Sequence, residues 1–164
     1  MKETTDTQAP AQPTTPGPEH DRLEVFAGTW KTVGPSYTEG QSNQTLRAST
    51  VPMALMDTYE WLPGGFFLVH RWDGTVGEQA FQGLEVIGYD AASRSYSSWF
   101  FDNNGNCPVY RVTEQDGIWT YTGDRQRATY VVGDGGDAMT VHWEWSRDGA
   151  NWHPLCDLKS VKVQ

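Results

Sequence analysis

Apolar and polar residues alternate with a period of two along most of this chain, the spacing of half-buried β-strands. The clearest case sets Met139, Val141, Trp143 and Trp145 against Thr140, His142, Glu144 and Ser146. The first group should face inward and the second outward. Trp119 and Tyr121 oppose Ile118, Thr120 and Thr122 in the same way. Between Asp57 and Tyr89, two aromatic-rich runs meet at Gly64-Gly65, a hairpin signal because glycine accepts positive φ without a Cβ clash. A turn there sets Trp61 opposite Leu68 and Tyr59 opposite His70. One face of the hairpin then carries Tyr59, Trp61, Phe66, Leu68, His70 and Trp72. The other carries Glu60 and Arg71 within reach of an ion pair.

The remaining pattern predicts strands beginning at Phe26–Lys31, then Gln44–Met56, with Pro52 marking an edge or bend. The hairpin arms follow at 57–62 and 66–73. Next come Gln79–Tyr89, Ser95–Asp102, Cys107–Thr113, Ile118–Thr122, Arg125–Val132, Met139–Ser146 and Trp152–Val163. Gly83 and Gly88 interrupt the long strand 79–89, where they permit bending or close approach of opposing side chains. Glu19–Ala27 spaces Leu23, Phe26 and Ala27 as one short helix ending at Gly28. Residues 1–18 hold four prolines and no large apolar residue, and predict a disordered Pro/Thr-rich tail. The expected organisation is therefore a tail over 1–18 and one barrel domain over 19–164. The fold expected is all-β: a closed up-and-down antiparallel β-barrel of about ten strands with a short N-terminal helix. Closure removes the exposed edges that an open meander would leave.

Composition narrows the functions. Eight Trp, seven Tyr and six Phe are more aromatic surface than a small core needs. Rings with polar handles suit sites that hold planar, partly polar ligands. The net charge of -9 opposes phosphate backbones and anionic lipid, so neither nucleic acid nor a membrane surface is expected as a partner. There is no apolar run of membrane-spanning length and no secretory h-region, which points to a cytoplasmic protein, monomeric or homodimeric. Cys107 and Cys156 make no disulfide framework and read as two reduced, packed thiols, with a single bridge between them as the alternative. Phosphate loops, dinucleotide fingerprints and serine elbows are missing from the sequence, and no cofactor is expected. The histidines at 20, 70, 142 and 153 lack metal-ligand spacing, so no metal centre is expected either. His20 falls in or beside the tail.

Phe-Ala-Gly-Thr-Trp-Lys at 26–31 resembles the Gly-x-Trp signature that opens lipocalin and other calycin barrels. Trp61–Leu68, Phe81-Gln82-Gly83, Ile87–Asp90 and Trp99 through Gly105 add to the likeness, which extends from Leu23 to Val163 and points to uncharacterised bacterial lipocalin-like β-barrel proteins. The resemblance implies a closed barrel with a helix at one end, Trp30 plugging that end. It does not imply one chemistry, since related barrels carry lipids or haem and a few are isomerases or cyclases. Glu85 departs from the resembled pattern, which has a small residue there.

His70 is the first candidate for chemistry. Burial should lower its pKa and leave a neutral imidazole able to act as a base, or a core residue bonded to the Tyr59 hydroxyl. The facing of Glu85 is open. Inward, it is a carboxyl in an aromatic cavity and a candidate acid or base. Outward, it is a solvated residue on a bent strand. Arg111, if inward, would clamp a ligand carboxylate. The ligand-binding set is then Tyr59, Trp61, Leu68, Trp72, Trp99, Arg111, Trp119, Tyr121, Trp143 and Trp145, with His70 and Glu85 as catalytic candidates. The leading expectation is a barrel binding a small apolar or aromatic molecule. The alternative is a cofactor-independent cyclase, isomerase or lyase acting on a small, polyketide-like molecule. The third is a haem-binding barrel using His153 or His70.

Overall fold

The computed structural model describes residues 15–37 and 50–163. The chain opens with a short helix, α1 (Pro18–Arg22), which runs into a 3-10 turn over Leu23–Phe26. Ten strands follow: β1 (Gly28–Tyr37), β2 (Thr50–Trp61), β3 (Phe67–Val76), β4 (Gln79–Asp90), β5 (Ser95–Asp102), β6 (Val109–Gln115), β7 (Ile118–Thr122), β8 (Gln126–Val132), β9 (Ala138–Ser146) and β10 (Trp152–Lys162). Each strand pairs antiparallel with its sequence neighbours, and β1 pairs with β10 to close the barrel. The expected all-β closed up-and-down barrel with one short N-terminal helix is the observed architecture. No helix among the described residues is long and apolar enough to cross a membrane.

The hairpin register is as the pattern predicts, with Tyr59 opposite His70 and Trp61 opposite Leu68. The turn is wider than two residues. Leu62 N–H donates to Phe67 O at 2.9 Å, and Gly65 N–H donates back to Leu62 O at 3.0 Å. Pro63 and Gly64, the latter at φ 104°, occupy the centre of that inner turn, where proline pre-sets the first φ and glycine supplies the positive second one. Glu60 and Arg71 pair across the outer face at 3.7 Å.

Several boundaries differ from expectation. The runs assigned to 44–56 and 57–62 are one twelve-residue strand, β2, which passes through Pro52 without ending; residues 38–49 lie outside the described part. Helix α1 starts at Pro18, whose missing N–H is no loss at a first helical position, and it gives way to the 3-10 turn after Arg22. Residues 1–14, most of the predicted tail, also lie outside the described part. His20 is not a tail residue: it is buried, packs edge-on against Phe66 and Tyr89, and its Nδ1 accepts the Gly17 N–H at 3.0 Å.

The helix and turn stopper one end of the barrel. Phe26 enters it and packs against Tyr59, Trp119 and Tyr130. Trp30 is fully buried behind it and donates its indole N–H to Phe26 O at 2.7 Å, while Lys162 Nζ lies 5.0 Å from the Trp30 ring centre. Gly28, at φ 117°, turns the chain from the stopper into β1. On β4, a Cβ on Gly83 would lie 1.9 Å from the Trp72 ring, so only glycine lets Trp72 lie across this strand. The close approach read from the sequence is thus the role Gly83 fills.

Candidate functional site

Beyond the stopper the interior widens into a cavity of about 1130 Å3. It reaches the β5–β6, β7–β8 and β9–β10 connections at the other end, including Asn106, Asp124 and Arg147. Its apolar wall is largely aromatic. Trp72 stacks on Phe100 with ring centres 4.5 Å apart, and Tyr110 and Tyr130 each meet Trp143 edge-on. The indole N–H groups of Trp72 and Trp145 are buried on this wall, and neither has a hydrogen-bond partner among the described residues.

A belt of polar side chains crosses this wall, with one residue from each of six adjacent strands. Ser160 on β10 bonds Thr32 on β1 at 2.7 Å, and Thr32 donates to Asp57 Oδ2 on β2 at 2.5 Å. Asp57 Oδ1 meets His70 Nε2 on β3 at 2.8 Å. His70 Nδ1 meets Glu85 Oε2 on β4 at 2.9 Å, and Ser98 on β5 donates to Glu85 Oε1 at 2.5 Å. All six residues are buried. The pairing explains the order: Thr32 lies opposite Ser160, and His70 opposite Glu85. The other links run diagonally between same-face residues of neighbouring strands.

Donor and acceptor counting sets the protonation of the centre. Each His70 nitrogen faces a carboxyl oxygen, and each remaining carboxyl oxygen takes a hydroxyl proton. A doubly protonated imidazole satisfies both contacts; a neutral one has a single N–H to offer. Burial by itself would depress the His70 pKa, as expected from the sequence. The hydrogen bonds from Asp57 and Glu85, reinforced by their charges, outweigh it and raise the group to about 9. His70 is therefore a cation at neutral pH and not a free base. Nor does it bond the Tyr59 hydroxyl: the two rings stack at 4.0 Å and 5°. The carboxyls flank His70 on opposite nitrogens and do not converge on one point. No group of His, Cys, Asp and Glu among the described residues could hold a metal ion.

The surrounding phenols feel the same charges. Burial first, and then Glu85 with its neighbours, pushes the hydroxyls of Tyr121, Tyr130 and Tyr110 upward. Burial and the charges around Tyr59, Asp57 and Glu85 among them, push Tyr59 upward too. Burial also raises the Cys156 thiol on the cavity wall to about 12.

Half of the residues singled out in the sequence line the cavity: Tyr59, His70, Trp72, Glu85, Trp143 and Trp145. Glu85 faces inward, at 3% exposure. Four others point inward but sit in the stoppered layer. Leu68, Trp119 and Tyr121 are buried there, and half-buried Trp61 donates to Glu24 Oε2 at 2.6 Å. Two point the other way. Trp99 is 39% exposed on the outer face, because Tyr96, Ser98 and Phe100 take the inside of β5. Arg111 is exposed, since Tyr110 and Val112 fill the inside of β6 and an inward guanidinium would have no carboxylate opposite it. His153 stands at the start of β10 against Trp145, with ring centres 5.3 Å apart, and is not part of the cavity wall. The cysteines are free, Cys156 buried as expected but Cys107 exposed. Asp57 was missed, although a period of two counted back from Tyr59 places it inward. Thr32, Ser98 and Ser160 are small polar residues with no signal beyond their parity.

These features define a closed antiparallel barrel, stoppered at one end, with a charged belt inside an aromatic cavity. Residues 15–148 match the family model described as "Protein of unknown function (DUF1579)", and the chain belongs to that family. Among solved structures it is similar to the crystal structure of Rv2717c from M. tuberculosis, with a TM-score of 0.61 at 9% identity, covering 90% of this chain and 99% of that one. At that identity the likeness shows the fold alone. No curated protein matches the chain.

Proposed function

We propose that this protein is a calycin-like barrel that binds a small, largely aromatic molecule in its cavity. One observation carries the reading: a cavity of about 1130 Å3 whose wall joins stacked rings to a buried, hydrogen-bonded charge cluster. That volume is on the scale of small-molecule sites, which combine apolar walls with a few placed polar groups. Two indole donors buried in the wall, those of Trp72 and Trp145, have no partner among the described residues. Titration with N-phenyl-1-naphthylamine, a neutral apolar dye, tests the reading. The expected result is a saturable rise in dye emission at one dye per chain, lost in Cys156→Trp, where a ring fills the cavity. Unsaturable uptake, or uptake that a folded Cys156→Trp leaves intact, would overturn it.

A second reading is a cofactor-independent isomerase, cyclase or lyase. The buried Asp57–His70–Glu85 cluster favours it, because acid and base sit side by side out of bulk water. His70→Gln and Glu85→Gln would then each abolish turnover of an identified substrate while circular dichroism stays unchanged. Normal turnover in both variants removes these residues from the chemistry. Haem ligation by His70 has no support in this arrangement, since both ring nitrogens are engaged by carboxylates.

A further inference from the structure

The geometry points to a ligand that carries a cationic nitrogen, an amine on an aromatic or apolar frame, seated with that nitrogen against Glu85. This inference rests on the binding reading above and specifies its ligand class. Four observations support it. First, the belt sets two acidic side chains, Asp57 and Glu85, around a single basic one, His70, so acids outnumber bases at the cavity centre. Second, among the described residues no further charged group lies beside the belt. The other charged groups on the wall are Asp102, Asp124, Arg125 and Arg147, two acids and two bases, all at the open end. The Arg125 guanidinium is turned to Arg147 O, at 2.5 Å.

Third, the belt is bordered by ring faces. His70 lies between Tyr59 and Trp72, and Trp72 stacks on Phe100. Rings beside a carboxylate favour a desolvated cation twice, through their quadrupoles and through the charge. A carboxylate ligand would meet two acidic groups there, with Arg111 outside and Arg125 and Arg147 away at the open end. Fourth, the indole N–H of Trp72, a cavity-lining side chain 4% exposed, has no partner among the described residues. The chain's net charge of -9 favours the approach of such a cation.

Isothermal titration with three probes on one frame tests this: 2-(1-naphthyl)ethylamine, 2-(1-naphthyl)ethanol and 1-naphthylacetate. The amine should bind about tenfold or more tighter than the alcohol, the scale of one charge-assisted hydrogen bond, and the acetate weakest of all. Raised salt should weaken the amine least where the site is buried. Glu85→Gln should shrink the amine-over-alcohol ratio while leaving alcohol binding in place. The wild-type ranking stands as a test even if that variant fails to fold. If the alcohol binds as well as the amine, or the acetate binds best, the inference is overturned and the binding reading survives. If none of the three binds and the neutral dye does not bind either, both fall together.

Discussion

Raising the pH from 6.5 to about 9 should destabilise this protein through His70. The imidazole has its ordinary value of 6.5 in the unfolded chain and about 9 in the folded one. Below pH 6.5 both states hold the proton, and the full stabilisation is present. Above that, the unfolded chain releases its proton while the folded state keeps it, so stability falls with rising pH until the folded group also titrates near 9. The gap is about 2.5 pH units, and at about 1.4 kcal/mol per unit it is worth on the order of 3 kcal/mol. Most of that should disappear across the window. Higher still, the buried tyrosines and Cys156 add losses of the same sign, since burial raises each of them. Urea unfolding followed by tryptophan fluorescence at several pH values gives the free energies directly. His70→Gln, which cannot change charge, should lack the slope between pH 6.5 and 9. A wild-type stability that is flat across this window, or a slope that His70→Gln retains, would refute the doubly bonded imidazolium.

Three further outcomes are expected. Asp57→Asn removes one of the two charges facing the imidazolium and should cost about 3–5 kcal/mol in urea unfolding, the range for breaking a buried pair. Gly83→Ala sets a methyl into the Trp72 ring and should lower stability by about 1–3 kcal/mol with a visible change in near-ultraviolet circular dichroism. Trp99→Ala, on the outer face, should change stability by no more than about 0.5 kcal/mol and leave dye binding untouched, whereas Trp143→Ala on the cavity wall should weaken the dye.

The features legible in the sequence were those with a strong local cause. Gly64-Gly65 placed a turn, the turn set the register of β2 against β3, and that register put His70 beside Tyr59. The Met139–Trp145 alternation on β9 was equally plain, since only one of its faces is apolar, but Ser146, expected outward, is buried at the strand's end, where its hydroxyl bonds Asp148 and accepts the Gly149 N–H. Strands with rings or aliphatics on both faces were harder. β5 carries Trp99 and Phe101 outside and Tyr96 and Phe100 inside, and β6 carries Val109 outside and Val112 inside, so hydrophobicity alone does not choose a phase. Asp57 was lost to a strand boundary placed one residue before it. Glu85 could not be oriented without its partner: a carboxyl is tolerated inside here because Ser98 and His70 bond it, and that meeting depends on pairings across three strands.

The belt from Ser160 to Ser98 also spans the seam where the first and last strands meet. A barrel of this kind is like a cask, its staves held by pairing alone, and the belt is a hoop crossing six of the ten. A one-residue slip of any of these strands would turn its belt member to the outside. The hoop therefore checks alignment between segments as distant in the chain as Thr32 and Ser160, and it closes only when both ends of the chain have found their places. The groups proposed to recognise a ligand and the groups that certify closure are the same atoms. Altering Asp57, His70 or Glu85 to retune selectivity would act on both at once.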